Sequence, residues 1–138
     1  MKTKFFKPAN MFLFFSLSCL IWSCSNDNSD LGLNSSIVGN WIWVSSSGGI
    51  AGTTETPEST GNNRRLEITN DSTRTFLNGN LISSQKYTLE TRESLLFNGV
   101  RTMMISEEGF RTIVEFDNGN LILTQDCFDC FSSVYKRE

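Results

Sequence analysis

The chain has 138 residues with 12 Lys and Arg, 15 Asp and Glu and no His. Three of its lysines lie within the first 23 residues, so the remainder carries nine basic and fifteen acidic side chains. A body this acidic and this small excludes a phosphate-binding surface, and the absence of His removes the commonest general base and metal ligand. The expectations are therefore one domain, no nucleic-acid partner, no metal, no cofactor and no enzymatic activity.

The chain opens with Lys2, Lys4 and Lys7, followed by an apolar run from Met11 to Trp22. That run has the length of a signal-peptide core and falls short of the ~20 residues of a membrane span. It stops at Ser23-Cys24, and Ser25, Asn26, Asp27, Asn28, Ser29 and Asp30 follow at once. Ile21-Trp22-Ser23-Cys24 resembles the bacterial lipobox, which implies cleavage before Cys24 and acylation of its thiol; Cys19 is the competing site. An acylated Cys24 implies attachment to the outer membrane or cell surface of a bacterial envelope, because each buried methylene adds about 0.8 kcal/mol of anchoring. Residues 1–23 are the expected signal peptide. Residues 24–36 are too polar to pack and form the expected tether.

From residue 37 onward the apolar period is two. Leu66 and Ile68 share one face; Tyr87 and Leu89 share another; Phe110, Thr112, Val114 and Phe116 oppose Arg111, Ile113 and Glu115. The expected strands are 37–46, 64–70, 74–78, 81–90, 94–97, 100–106, 110–117, 120–126 and 131–136. Asn78-Gly79, Asn98-Gly99 and Asn118-Gly119 between them favour tight turns with positive φ. Consecutive short hairpins point to an all-β fold, a single antiparallel up-and-down meander barrel of eight or nine strands, spanning 37–138. The segment 45–63 breaks the rhythm and reads as a long loop in which Ile50 and Ala51 are suited to dip into a barrel mouth; a solvated loop is the alternative.

Gly39-Asn40-Trp41 on the first strand and Tyr135-Lys136-Arg137 on the last resemble the lipocalin (calycin) superfamily, in the form found as short domains on bacterial lipoproteins. The resemblance implies that Gly39, Trp41 and Arg137 close one barrel end, with the Arg137 cation over the Trp41 ring. It also implies a lipid-anchored monomer that holds a small apolar or amphipathic ligand. The expected interior is Trp41, Trp43, Leu66, Ile68, Tyr87, Leu89, Met104, Phe110, Val114, Phe116, Leu121 and Leu123. Trp43, Ile50, Tyr87, Met104, Phe110, Val114 and Phe116 are the candidate ligand contacts, and for Trp43 a plain core role is the alternative. A filled barrel acting as an envelope protein-interaction or protease-inhibitor module is the competing function.

Cys127-Phe128-Asp129-Cys130 sits between two expected strands rather than at a helix start, so a hairpin disulfide is the favoured reading over redox catalysis, zinc or free thiols. Asp71-Ser72-Thr73 resembles a short bacterial O-glycosylation signal, placing a candidate modification on Ser72.

Overall fold

The computed structural model describes residues 36–138; Cys19, Cys24, the signal peptide and all of the tether but residue 36 lie outside them. Nine strands run in chain order: β1 (Gly39–Gly48), β2 (Thr53–Glu55), β3 (Arg64–Ile68), β4 (Ser72–Leu77), β5 (Asn80–Glu93), β6 (Val100–Ser106), β7 (Arg111–Asp117), β8 (Asn120–Gln125) and β9 (Phe131–Arg137). Every pairing is antiparallel, and the sheet order is a meander that closes when β9 pairs with β1. The result is an eight-stranded barrel, with β2 as an extra strand extending the β1 edge beyond β3. The expected fold class is therefore the observed one.

The turns follow from the sequence. Asn78 and Gly79 have φ of 49° and 85°, and Asn118 and Gly119 have 49° and 82°, so both central residues of each two-residue hairpin are left-handed. Asn98-Gly99 behaves differently. Residues 94–97, expected as a strand, form a turn instead. Its backbone N–H groups are drawn to side chains: those of Leu95 and Leu96 donate to Asp126 Oδ1, and those of Leu96 and Phe97 to Ser94 Oγ. Diverted in this way, Leu95 to Phe97 have no ladder to join.

The segment 45–63 is also more ordered than expected. Ser45 to Gly48 complete β1, and α1 (Pro57–Thr60) is a single turn with a Thr56–Ser59 capping box, Pro57 at its start and Gly61 left-handed at its end. Ile50 does not dip into the mouth. It sits at the tip of the β1–β2 turn and is 93% exposed.

Alternation along the strands builds the core. Ile37, Trp41, Leu66, Ile68, Tyr87, Met104, Val114 and Leu121 form one buried interior cluster, with Leu89, Leu123 and Tyr135 packed against it. Two members of the expected interior are not inside: Phe110 is 65% and Phe116 39% exposed. Phe116 lies one residue before the end of β7 beside the closed end, its ring 6.0 Å from that of Trp41. Met103, Ile105 and Ile113 form a second buried cluster. They alternate with inward-facing Met104 and Thr112, which places them on the outer wall. Arg111 crosses this wall, its guanidinium 3.6 Å from Met103 Sδ and also donating to Glu93 O.

Candidate functional site

The closed end of the barrel is fixed by three residues. The Arg137 guanidinium lies 4.5 Å from the Trp41 ring centroid. It donates to Ser36 O at 2.6 Å and Val38 O at 3.3 Å, while Trp41 Nε1 donates to Ile37 O at 2.7 Å. Gly39 has φ of 145°, and a Cβ there would stand 2.8 Å from Arg137 Nη1. Only glycine leaves the guanidinium room to reach the indole face.

The other end is hollow. A cavity of about 250 Å³ lies among β3 to β9. At ~30 Å³ per water that is space for about eight waters, just under the ~300 Å³ at which small-molecule sites begin. Leu66, Met104, Leu123, Tyr87 and Tyr135 supply its apolar lining. Thr73, Thr75, Ser106, Thr112 and Ser133 add hydroxyls, and Gln85, Gln125 and Lys86 add longer polar groups. Gln85, Lys86, Phe110, Gln125 and Phe131 are its exposed rim. The interior positions of the barrel are thus apolar toward Trp41 and mostly hydroxylated toward the mouth.

Two phenols define its wall. Tyr87 donates to Thr69 O at 2.6 Å, and burial together with the Asp71 charge pushes its phenol up. Burial pushes the Tyr135 phenol up as well, against smaller opposing effects of Ser133 and Arg64. Both remain protonated donors at neutral pH.

Of the candidate contacts, Tyr87, Met104 and Phe110 line this cavity, while Trp43, Ile50, Val114 and Phe116 do not. Trp43 is buried and fully engaged: Nε1 donates to Ser46 Oγ at 2.8 Å, and the Arg64 guanidinium covers the ring at 4.5 Å. Ser46 in turn meets Ser133 Oγ at 2.7 Å, and Arg64 pairs with Glu55 at 3.4 Å. Trp43 is joined to the cavity wall through Ser46 and Ser133 and through its strand partner Tyr135. Val114 belongs to the packed core below it. The hydroxyl residues of the mouth were missing from the expected set, although their parity with Leu66, Met104 and Leu123 marks them as inward-facing.

Cys127 and Cys130 form a disulfide across the β8–β9 turn, with Cα atoms 5.6 Å apart. Gly49 N donates to Cys130 O at 3.4 Å, which ties the β1–β2 turn to this one. Ser72 is half-buried, its hydroxyl 2.7 Å from Thr69 Oγ1. Among the described residues no group of three or more acidic or Cys side chains is placed to hold a metal, and no helix is long and apolar enough to cross a membrane. No family model matches the chain, and neither curated proteins nor solved structures give a significant match.

Proposed function

We propose that the protein is a lipocalin-like, lipid-anchored binding protein for a small amphipathic ligand, held by Cys24 at the outer membrane or cell surface of a bacterial envelope. The observation that carries this reading is the cavity: an eight-stranded barrel closed at the Trp41 end and open at the other over about 250 Å³. Its lining is divided. Leu66, Met104 and Leu123 favour the apolar part of a ligand, and the Thr, Ser and Gln side chains hydrogen-bond a polar part. The volume restricts the ligand to something short. Binding is the chemistry this lining supports, with apolar side chains beside hydroxyls and amides.

Native mass spectrometry of the protein purified from its own host tests both halves of the proposal. The expected species begins at Cys24, carries acyl chains, and releases a small non-covalent ligand on activation. Leu123→Trp fills the cavity and should abolish the ligand peak while the circular dichroism of the barrel is retained. An unacylated chain overturns the anchor. A ligand that persists in Leu123→Trp, or the absence of any ligand together with no fluorescence change of an anilinonaphthalene sulfonate probe, overturns the binding role.

A protein-interaction role has separate support in the exposed turn tips Ile50, Phe110 and Phe128. Serine substitutions at Ile50 and Phe128 that leave ligand binding intact but abolish a partner complex would favour that reading.

A further inference from the structure

The barrel wall is incomplete beside β5. This strand pairs with β4 over residues 80–86 and with β6 only from Tyr87 onward, because β6 ends at Ser106, opposite Tyr87. Residues 81–86 therefore have a strand on one side and none on the other. The direction of their backbone groups follows from one bond. Tyr87 N donates to Asp71 O, on the β4 side. The β4 register is unbroken from Lys86 back to Ser83. By alternation the N–H and C=O groups of Gln85 and Ser83 also face β4, and those of Lys86 and Ser84 face the open edge. All of residues 81–86 but Ser83 are exposed, with Leu81 at 54% and Ile82 at 57%.

A groove of about 400 Å³ runs along this edge, lined by Ser72, Ser84, Gln85, Lys86, Ser106, Glu107 and Glu108. Glu107 and Glu108 make no ion pair among the described residues, and with Lys86 they leave the groove net negative. Strand edges are normally blocked by proline, covering loops or several lysines. Here only Lys86 and a register shift at Thr75/Phe76 stand guard.

We propose that the open edge of β5 takes an extended, basic segment of a partner polypeptide as an added strand. Unpaired backbone groups require a backbone as their complement, and the Glu107–Glu108 wall selects Lys or Arg side chains on it. A second copy of this chain fits poorly, because pairing two such edges brings both pairs of glutamates together. The groove adjoins the ligand cavity and shares Gln85, Lys86 and Ser106 with it, but recognition in the groove is by main chain along the wall and not by the interior.

The test uses the described domain together with its tether and three hexapeptides: acetyl-Lys-Val-Lys-Val-Lys-Val-amide, its Glu/Val counterpart, and the Lys/Val peptide N-methylated at alternate residues. The expected result is that the Lys/Val peptide binds about tenfold or more tighter than the other two. Binding should also slow hydrogen exchange at the Ser84 and Lys86 amides. Ser84→Pro removes one outward donor without touching the β4 ladder and should lose about tenfold in affinity. Glu107→Lys with Glu108→Lys should transfer the preference to the Glu/Val peptide, which keeps the test decisive if the proline variant fails to fold. No binding, binding indifferent to N-methylation, or exchange protection of residues 84 and 86 that rises with protein concentration alone would each overturn the proposal.

Discussion

Removing the Asp126 carboxylate should detach the β5–β6 turn from the barrel. The side chain is fully buried just beyond β8. Its Oδ1 accepts from Ser94 Oγ at 2.6 Å, Leu95 N at 2.9 Å and Leu96 N at 3.3 Å, and its Oδ2 lies 2.7 Å from Arg111 Nη2. Burial alone would push this carboxyl up, but the Ser94, Leu95 and Leu96 hydrogen bonds and the Arg111 charge outweigh it and hold it below the usual range. Breaking a buried pair by removing one partner costs about 3–5 kcal/mol. Arg111 keeps 23% exposure, so water relieves part of its stranded charge and Asp126→Ala should cost about 3–4 kcal/mol. Asp126→Asn retains an acceptor for the two amides and should cost about 1.5–3 kcal/mol, the value of charge-assisted hydrogen bonds. Urea denaturation at pH 7 reads both. The pH dependence has a fixed sign. With the folded pKa lowered, the contribution is complete above the unfolded value of ~3.9 and is lost as pH falls through the folded one. The wild type should therefore lose stability below about pH 4 while Asp126→Asn shows less of that loss. Amide exchange at Leu95 and Leu96 should accelerate in Asp126→Ala well ahead of the core strands. A cost under ~1 kcal/mol, or unchanged exchange at those two amides, would refute the clamp.

At the closed end, Trp41→Ala should cost roughly 3–5 kcal/mol as a large-to-small core change, and Arg137→Ala about 0.5–2 kcal/mol for the cation–π contact. Thermal melts of the two variants check the ranking, and equal costs would contradict it. Joint replacement of Cys127 and Cys130 by Ala should cost about 2 kcal/mol, the chain-entropy value for so short a loop. Intact mass after alkylation without reduction should show no modified thiols in the described domain.

Much of the fold was legible because the signals were local. Asn78-Gly79 and Asn118-Gly119 carry their own positive φ, and the alternation of Leu66, Ile68, Tyr87 and Leu89 needs only a period of two. The errors came where a distant side chain decided the backbone. Leu95-Leu96-Phe97 has the composition of a strand, yet Asp126, thirty or more residues away in sequence, takes its amides. Nothing within a short window around residue 95 reveals that partner. Ile113 misled in a related way: parity puts it with Arg111 and Glu115 outside the barrel, yet it is buried there with Met103 and Ile105.

The candidate site was half legible for a different reason. Gly39, Trp41 and Arg137 were readable through the lipocalin resemblance of Gly39-Asn40-Trp41 and Tyr135-Lys136-Arg137, and the structure sets Trp41 opposite Arg137 where the first and last strands pair. The mouth was not, because its inward-facing positions are polar and hydrophobicity does not pick them out. In a barrel the mark is parity, and polarity then reports depth. Thr75 is opposite Leu66, Thr112 opposite Met104 and Ser133 opposite Leu123. Each pair sets a hydroxyl beside an apolar side chain on the inner surface. Ser133 meets Ser46 at 2.7 Å, while among the described residues the half-buried hydroxyls of Thr73, Thr75 and Thr112 make no hydrogen bond within the protein. Those three line the cavity together and leave their donors and acceptors to whatever fills it.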